Sequence, residues 1–316
     1  MFLQNQIFSL ILIVTFIVKS VFPDKLSHPK DLIIESQQFQ IDFLRQSLAK
    51  VMCTGKEEVL QTGVWCLQED PKDNSNIHFR QELGRPLGKG HVTADYEISL
   101  FLKFFFSGFR VIELGAGSGQ YGVIFNRTES DVLGVDLQAY DGSLNGPEFT
   151  NHAVKWADFT LPFSAVGGPG DWVFSLEVAE HIPAQYEKQY IENLDRNNRC
   201  GLVISWAKRG QGGKGHVNEK NIDEVVSLLS AMGYQYQSKL SEYVRSRAEY
   251  YWFKSTFMIF YNIKNFNSSK ALCTGSDNPA RRTRLAPYFN AANITQDLIE
   301  IYNRTSIQNL TSIRRR

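Results

Sequence analysis

Apolar and polar positions alternate along the middle of the chain in a way that is typical of an α/β sheet. From Phe109 onward, short apolar runs are separated by stretches with helical spacing. The pattern predicts strands over 110–114, 131–136, 152–156, 171–176 and 199–206, with helices over 119–126, 183–195 and 219–232. This alternation favours a doubly wound, mostly parallel sheet. Two further strand-like stretches, 234–240 and 256–263, bracket a polar, helix-compatible segment.

The residues that precede this region have mostly helical patterns. Apolar side chains recur at helical spacing over 31–52, and Thr93 is expected to cap a second helix that runs toward Phe106. The Phe residues of this second helix are interpreted as core residues. The sequence thus divides into an N-terminal segment, a helical cap region, an α/β domain and a polar tail, over 1–22, 24–107, 108–263 and 264–316.

The N-terminal segment has the pattern of a secretory signal. Its apolar run from Ile7 to Val18 has 12 residues, fewer than the about 20 that a spanning helix needs. A cleaved signal peptide is favoured, and an uncleaved type II signal anchor is the alternative. We expect the protein to associate with a membrane only if this segment is uncleaved. Five N-x-Ser/Thr sequons support a lumenal or secreted glycoprotein: Asn126, Asn267, Asn293, Asn303 and Asn309.

Charge and cysteine content narrow the possible partners and the compartment. The chain has 316 residues with 34 Lys and Arg against 33 Asp and Glu, a balance that argues against a nucleic-acid-binding surface. An oxidising lumen would allow Cys53 and Cys66 to pair. Cys200 is expected as an unpaired apolar residue in a buried strand, whereas Cys273 is left open as paired or free.

The strongest chemical signal is a glycine-rich turn between the first predicted strand and the following helix. Gly115 and Gly117 would let the backbone approach a ligand closely. A dinucleotide fingerprint would require glycine where Gln120 stands, so an oxidoreductase that uses a nicotinamide cofactor is disfavoured. Glu113 brings a carboxylate to the end of the strand, which would repel a pyrophosphate but suit an ammonium group.

These residues resemble the first motif of class I S-adenosylmethionine-dependent methyltransferases, E/D-x-G-x-G-x-G, which is matched by Glu113, Gly115, Gly117 and Gly119. The resemblance covers about 109–262. It implies that Asp136, taken as the last residue of the second strand, accepts the two ribose hydroxyls of the cofactor, and that Asp158 lies beside the adenine amino group. Asp141 is interpreted as a turn acid, with support of the ribose as the alternative.

A second cluster follows the fourth predicted strand. Glu177, Glu180 and His181 resemble the E-x-x-E-H motif of ubiquinone-type O-methyltransferases and of plant small-RNA 2′-O-methyltransferases. That resemblance implies a divalent metal, Mg²⁺, Mn²⁺ or Zn²⁺, with His216 as a fourth ligand. Two other interpretations stay open: a metal-free histidine base, and purely structural roles for these residues. The glycine-rich loop 208–215 is expected either to close over an acceptor or to be a solvated linker.

Together these features predict a secretory-pathway methyltransferase that uses S-adenosylmethionine and transfers a methyl group to oxygen. Glu177, His181 and His216 are the candidate catalytic residues. A glycan or a small molecule is the favoured acceptor, and a sugar hydroxyl is preferred. The alternative is a catalytically inactive binding module that keeps the methyltransferase fold.

Overall fold

The computed structural model describes residues 29–53, 66–67, 94–126, 134–266, 273, 299–300 and 302–303. The chain separates into two units, Met1–Thr54 and Gly55–Arg316. The described part of the first unit contains helix α1 (Pro29–Met52), which confirms the predicted helix over 31–52. None of the helices in these residues has the length and apolar character needed to cross a membrane. The predicted signal segment lies outside the described residues.

The described part of the second unit alternates strands and helices. Its elements, in chain order, are α2 (Tyr96–Phe105), β1 (Arg110–Leu114), α3 (Gln120–Asn126), β2 (Asp136–Asp141), α4 (Gly146–Phe149), β3 (Val154–Trp156), β4 (Gly170–Ser175), α5 (Glu187–Arg196), β5 (Asn198–Ile204), α6 (Ile222–Ala231), β6 (Tyr234–Tyr236), α7 (Ser238–Arg247), α8 (Phe253–Thr256), β7 (Met258–Asn262) and α9 (Ile263–Phe266). Short 3₁₀ turns over Ala179–His181 and Ala184–Tyr186 connect β4 to α5.

The strands form a seven-stranded sheet in the order β3-β2-β1-β4-β5-β7-β6. β1 to β5 pair in parallel, whereas β7 runs antiparallel to β5 and to β6. The order differs from the simple doubly wound order 3-2-1-4-5-6 by the insertion of β7. It confirms the doubly wound, mostly parallel core that the sequence predicts. The order reverses between β1 and β4, where open α/β sheets bind ligands at the carboxyl ends of their strands.

The second strand lies later in the chain than predicted. Asp136 begins β2 instead of ending it, and it pairs with Arg110 at the first position of β1. The apolar run before Asp136 suggests a strand, but β2 itself is only partly buried and carries polar side chains such as Gln138. Strands of this kind have a weaker apolar signal than the fully buried β4 and β5, so the boundary was misplaced.

Other boundaries also differ from the prediction by a few residues, and two of these differences have a clear cause. The stretch predicted as a strand over 234–240 leaves the sheet after Tyr236, because Leu240 and Val244 are buried at helical spacing on α7. The N-cap of α2 is Asp95, whose Oδ1 accepts from Ile98 N at 3.0 Å. Thr93 lies outside the described residues.

Asp95 does more than cap one helix. Its second oxygen, Oδ2, accepts from the backbone N–H groups of Glu249 at 2.7 Å and Tyr250 at 2.9 Å. The carboxylate is fully buried. It therefore joins the start of α2 to the segment that leads into α8, at the same end of the sheet as the glycine-rich turn.

The core has one layer on each face of the sheet. Val111 of β1 packs with α2, α3 and Trp172 of β4 on one face, and its neighbour Ile112 packs with α5 and α6 on the other. The predicted core Phe residues belong to the first layer: Phe101, Phe105 and Phe106 are all buried. This alternation also determines the face toward which each polar side chain of β1 points.

A disulfide joins Cys200 of β5 to Cys273. The expectation that Cys200 is an unpaired apolar residue is therefore wrong, although the residue is fully buried as predicted. Its tail partner carried no sequence signal for pairing across 73 residues. Cys53 and Cys66 are also disulfide-bonded, so no cysteine is free.

Candidate functional site

The glycine-rich turn after β1 is held at the switch point of the sheet by main-chain hydrogen bonds. The N–H groups of Gly115 and Ala116 both donate to the carbonyl oxygen of Tyr140, at 2.8 and 3.0 Å. Gly115 has a φ of +90°, and a Cβ there would lie 2.1 Å from the Val178 side chain. Glycine is thus required twice, for its backbone conformation and for the close approach of the loop after β4.

Asp141, not Asp136, is the acid at the carboxyl end of β2. Its Oδ2 accepts from Gly117 N at 2.8 Å, and its Oδ1 accepts from the N–H and the hydroxyl of Ser143. Asp136 lies five residues earlier, about 16 Å away along the strand. The expectation that Asp136 ends the second strand beside the turn is therefore wrong. Asp141 occupies the position that the methyltransferase resemblance gives to the ribose acid.

Glu113 is a buried carboxyl next to the same turn. It points to the face of β1 that carries Val111, and its Oε2 has no hydrogen-bond partner. Burial, and to a smaller extent the charge of Asp141, raise the pKa of Glu113 to about 8. An acceptor oxygen without a donor is costly in a protein interior. Glu113 is therefore prepared for a ligand that brings a donor, as an ammonium group does.

Asp158 lies two residues beyond β3, as the prediction placed it. Its Oδ1 accepts from the N–H of Thr160 at 2.9 Å and from the Thr160 hydroxyl at 2.6 Å. These bonds fix the turn after β3. The structure thus arranges Glu113, Asp141 and Asp158 along the ends of three adjacent strands, β1, β2 and β3.

Glu177 begins the second group of acids, after β4. Its φ is +57°, an uncommon conformation for a residue with a side chain, which is concentrated at functional sites. Its N–H donates to the Ser205 hydroxyl at 2.7 Å, and Oε1 accepts from the Thr256 hydroxyl at 3.3 Å. Burial raises the pKa of Glu177. The strained backbone thus holds a carboxyl between the ends of β4 and β5.

Glu180 is fully buried, and neither of its carboxylate oxygens accepts a well-formed hydrogen bond. Burial raises the pKa of Glu180 well above its usual range, and the negative charge of Glu177 raises this pKa further. The backbone N–H groups of Glu180 and Ala207 lower it, but only in part. Its neighbours are imidazoles: His216 Nε2 lies 3.9 Å from Glu180 Oε1. One ligand atom from each of Glu180, His181 and His216 lies within 4.8 Å of the others.

Both imidazoles are oriented through their Nδ1 atoms. His181 Nδ1 lies 3.1 Å from the carbonyl oxygen of Gly215, and His216 Nδ1 lies 3.2 Å from Glu219 Oε1. Carbonyl and carboxylate oxygens accept only, so Nδ1 must carry the proton in each ring. In a neutral ring, Nε2 then carries the lone pair, which can act as a base or bind a metal.

The glycine-rich loop is anchored by Glu219. This carboxylate accepts from Gly210 N at 2.7 Å and from Gly212 N at 2.9 Å, in addition to His216. A Cβ at Gly213 would lie 2.3 Å from His216 Nε2, so the loop backbone covers the ring closely. The loop is therefore the support that brings His216 to Glu180, and not a free linker.

The three clustered residues fit a divalent cation. Metal-binding histidines generally donate their other ring N–H to a carboxylate or a backbone carbonyl, which is the arrangement of His216 and His181. A buried carboxyl without well-formed hydrogen bonds, such as Glu180, is costly unless it is neutral or faces a cation. Glu177, the remaining member of the predicted metal set, does not belong to this cluster.

Sequence reasoning missed two residues of this site. Glu219 lies three positions after His216, a spacing that allows a carboxylate to reach the imidazole, but a loop gives no periodic signal for it. Tyr121 follows the glycine motif and matches none of its positions. Its hydroxyl is buried next to β1 and has no hydrogen-bond partner.

Comparison with known proteins adds no close relative. No family model and no curated protein matches the sequence. Among solved structures, the chain is similar to magnesium protoporphyrin IX methyltransferase from Synechocystis PCC 6803 with bound SAH (13% identity, 60% of this chain, 95% of that chain, TM-score 0.40). It is also similar to the small RNA methyltransferase HEN1 (14%, 52% and 24%, TM-score 0.39) and to NcsB1, an O-methyltransferase from neocarzinostatin biosynthesis (13%, 52% and 52%, TM-score 0.37).

The raised pKa of Glu113 gives a stability prediction for the ligand-free protein. The carboxyl titrates near 4.5 when unfolded and at about 8 when folded. Between these pH values the folded chain keeps a proton that the unfolded chain releases, so stability falls as the pH rises. We expect Glu113 to lower the free energy of unfolding by on the order of 3–5 kcal/mol from pH 5 to pH 8.

Urea denaturation of the wild type and of Glu113→Gln across this pH range measures the effect. The variant is expected to lose the Glu113 component of the slope, whereas Glu192→Gln on the surface of α5 should retain it. Equal slopes for the wild type and Glu113→Gln would contradict the prediction.

Proposed function

We propose that the chain is an S-adenosylmethionine-dependent methyltransferase that methylates a hydroxyl oxygen. The observation that carries the proposal is the placement of the glycine-rich turn against Asp141 and Glu113 at the switch point of the sheet. In this arrangement Gly115, Gly117 and Gly119 give the cofactor access to the backbone. Three of the about four acceptor sites of the Asp141 carboxylate are used, and the remaining one, on Oδ2, would accept from a ribose hydroxyl.

In this proposal, the methionine moiety of the cofactor faces Glu113 and the adenine faces Asp158. The carboxylate of Glu113 would accept from the ammonium group of the methionine moiety, which supplies the donor that its Oε2 lacks. Asp158 would lie beside the adenine. The methyl group would then be directed toward the ends of β4 and β5, where Glu177 and the imidazoles are located.

The transfer itself requires alignment and the removal of one proton. As the acceptor oxygen forms its bond to the methyl carbon, the carbon–sulfur bond breaks and its electrons return to sulfur. The hydroxyl proton must pass to a base. Glu177 is suited to this role, because burial raises its pKa toward neutral pH.

Glu180, His181 and His216 would hold a divalent cation, with Mg²⁺, Mn²⁺ or Zn²⁺ as candidates. A bound cation of this kind lowers the pKa of a hydroxyl and strengthens it as a nucleophile. Glu219 and the carbonyl oxygen of Gly215 would orient the two imidazoles. Without a cation, the unprotonated Nε2 of His181 or His216 would be the base instead.

The proposed acceptor is a glycan hydroxyl in the secretory pathway. The disulfide between Cys200 and Cys273 supports an oxidising compartment, as do the N-terminal apolar segment and the sequons. Acceptors that are abundant in that compartment carry many hydroxyl groups. Whether the N-terminal segment is cleaved or anchors the chain does not change the chemistry of the site.

Cofactor binding is tested by contrasting the two aspartates of β2. We expect Asp141→Asn to weaken S-adenosylhomocysteine binding at least about tenfold, because a charge-assisted hydrogen bond is worth about 1.5–3 kcal/mol. Asp136→Asn is the matched control and should bind like the wild type. Calorimetric titration of the three proteins measures the difference. If the folded wild type binds no cofactor, the inactive binding module becomes the better explanation.

The metal assignment is tested with a residue that does not touch the ion. Glu219→Gln should weaken Mn²⁺ or Zn²⁺ binding about 10- to 100-fold, the usual cost of losing an outer-sphere carboxylate. Glu224→Gln is the control: this carboxylate accepts from Arg209 and from the N–H of Asn221 and has no contact with the two imidazoles. Calorimetry on the chelated protein gives both affinities. Methyl transfer that is indifferent to chelation would point to a metal-free histidine base.

The acceptor is tested with labelled cofactor and glycans released from secretory glycoproteins. We expect radioactive methyl groups to appear in alkali-stable linkage, as an ether gives, when wild-type protein is used. Glu177→Gln should reduce this incorporation by at least about 100-fold if it acts as the base. A chain that is found reduced and unglycosylated in the cytosol would remove the basis for a lumenal glycan acceptor.

A further inference from the structure

We infer that Tyr121 is a ligand-binding residue: its hydroxyl donates to the carboxylate of the methionine moiety while Glu113 accepts from the ammonium group. This assignment rests on the proposed function, since it concerns the same cofactor. It gives the amino-acid end of S-adenosylmethionine a donor and an acceptor from neighbouring elements, α3 and β1.

The two side chains lie on the same face of the sheet. Glu113 pairs with Phe174 of β4 in the parallel register. The Tyr121 ring stands edge-on against the Phe174 ring, with centroids 5.7 Å apart and an interplanar angle of 82°. The tyrosine is therefore located beside the strand position that is opposite Glu113.

The two polar atoms are both buried and both lack a partner. Tyr121 is 4% exposed and Glu113 is 3% exposed. Neither the Tyr121 hydroxyl nor Glu113 Oε2 makes a hydrogen bond. Buried tyrosine hydroxyls usually have a partner, because an unpaired one loses its hydration without compensation. Two such atoms on the same face of the sheet, on either side of Phe174, are the basis for assigning one ligand to both.

The nearby acid that could serve Tyr121 is already engaged. Both oxygens of Asp95 accept backbone N–H groups, from Ile98 on one side and from Glu249 and Tyr250 on the other. Burial raises the pKa of Tyr121, and the charges of Asp95, Glu113 and Glu177 raise it further, whereas the backbone N–H of Asp95, which faces the phenol oxygen, offsets this only in part. The phenol thus keeps its proton and offers a donor.

The chemistry of the missing partner follows from this pair. An unpaired donor beside an unpaired carboxyl matches a zwitterion, which carries a carboxylate and an ammonium group on one carbon. The amino-acid end of the cofactor provides both groups.

The experiment compares two ligands that differ only in the carboxylate: S-adenosylhomocysteine and its decarboxylated analogue, S-adenosyl-3-thiopropylamine. We expect Tyr121→Phe to weaken S-adenosylhomocysteine binding about tenfold or more and to change binding of the amine by less than about twofold. Glu113→Gln should weaken both ligands, since both keep the ammonium group. Tyr261→Phe, which removes a buried hydroxyl from β7 in the same core layer, should change neither.

Several results would overturn the inference. An equal loss for both ligands would mean that Tyr121 acts on the fold or on another part of the cofactor, and unchanged affinities would mean that it does not touch the ligand. Thermal unfolding of each variant separates a folding defect from a lost contact. If the folded wild type binds neither ligand, the proposed function itself fails. If the wild type and Tyr121→Phe bind both ligands equally well, only the inference about Tyr121 fails.

Discussion

The closure of the turn after β1 onto the end of β2 is the contact on which the site depends. The carbonyl oxygen of Tyr140 receives two N–H groups from the turn, and Asp141 receives a third from Gly117. These bonds fix the backbone where the sheet order reverses. Val178, which follows β4, occupies the space that a side chain at Gly115 would fill. The turn after β1 therefore packs against both the end of β2 and the loop after β4.

Near this turn lie several acidic side chains that form no ion pair with Lys or Arg within the part of the chain that the structure describes. Glu113 and Glu180 are removed from water and Glu177 is half-buried, and burial is the main cause of the raised pKa of each. Elsewhere in the described residues, acids such as Glu224 are paired with cations. An interior that keeps unpaired carboxyls destabilises the fold, and such an arrangement is typical of sites that receive positively charged ligands.

The sequence predicts the fold well where burial is complete and less well where it is partial. β1 and β4 are almost fully buried and have continuous apolar runs, so their positions were predicted to within a residue. β2 is half-exposed, and the apolar run before it led to the choice of Asp136 over Asp141. The disulfide of Cys200 and the contact of Glu219 with His216 depend on the path of the tail and of a loop. Neither has a periodic pattern, so they become visible only in three dimensions.

The single carboxylate of Glu219 also has a mechanical consequence. Its Oε2 holds the backbone of the glycine-rich loop at Gly210, and its Oε1 holds both Gly212 and the ring of His216. The loop therefore cannot swing away from the sheet without giving up the bond that orients the imidazole. A movement of the loop that admits a large molecule would therefore also release the ring of His216 from the orientation that it needs for chemistry.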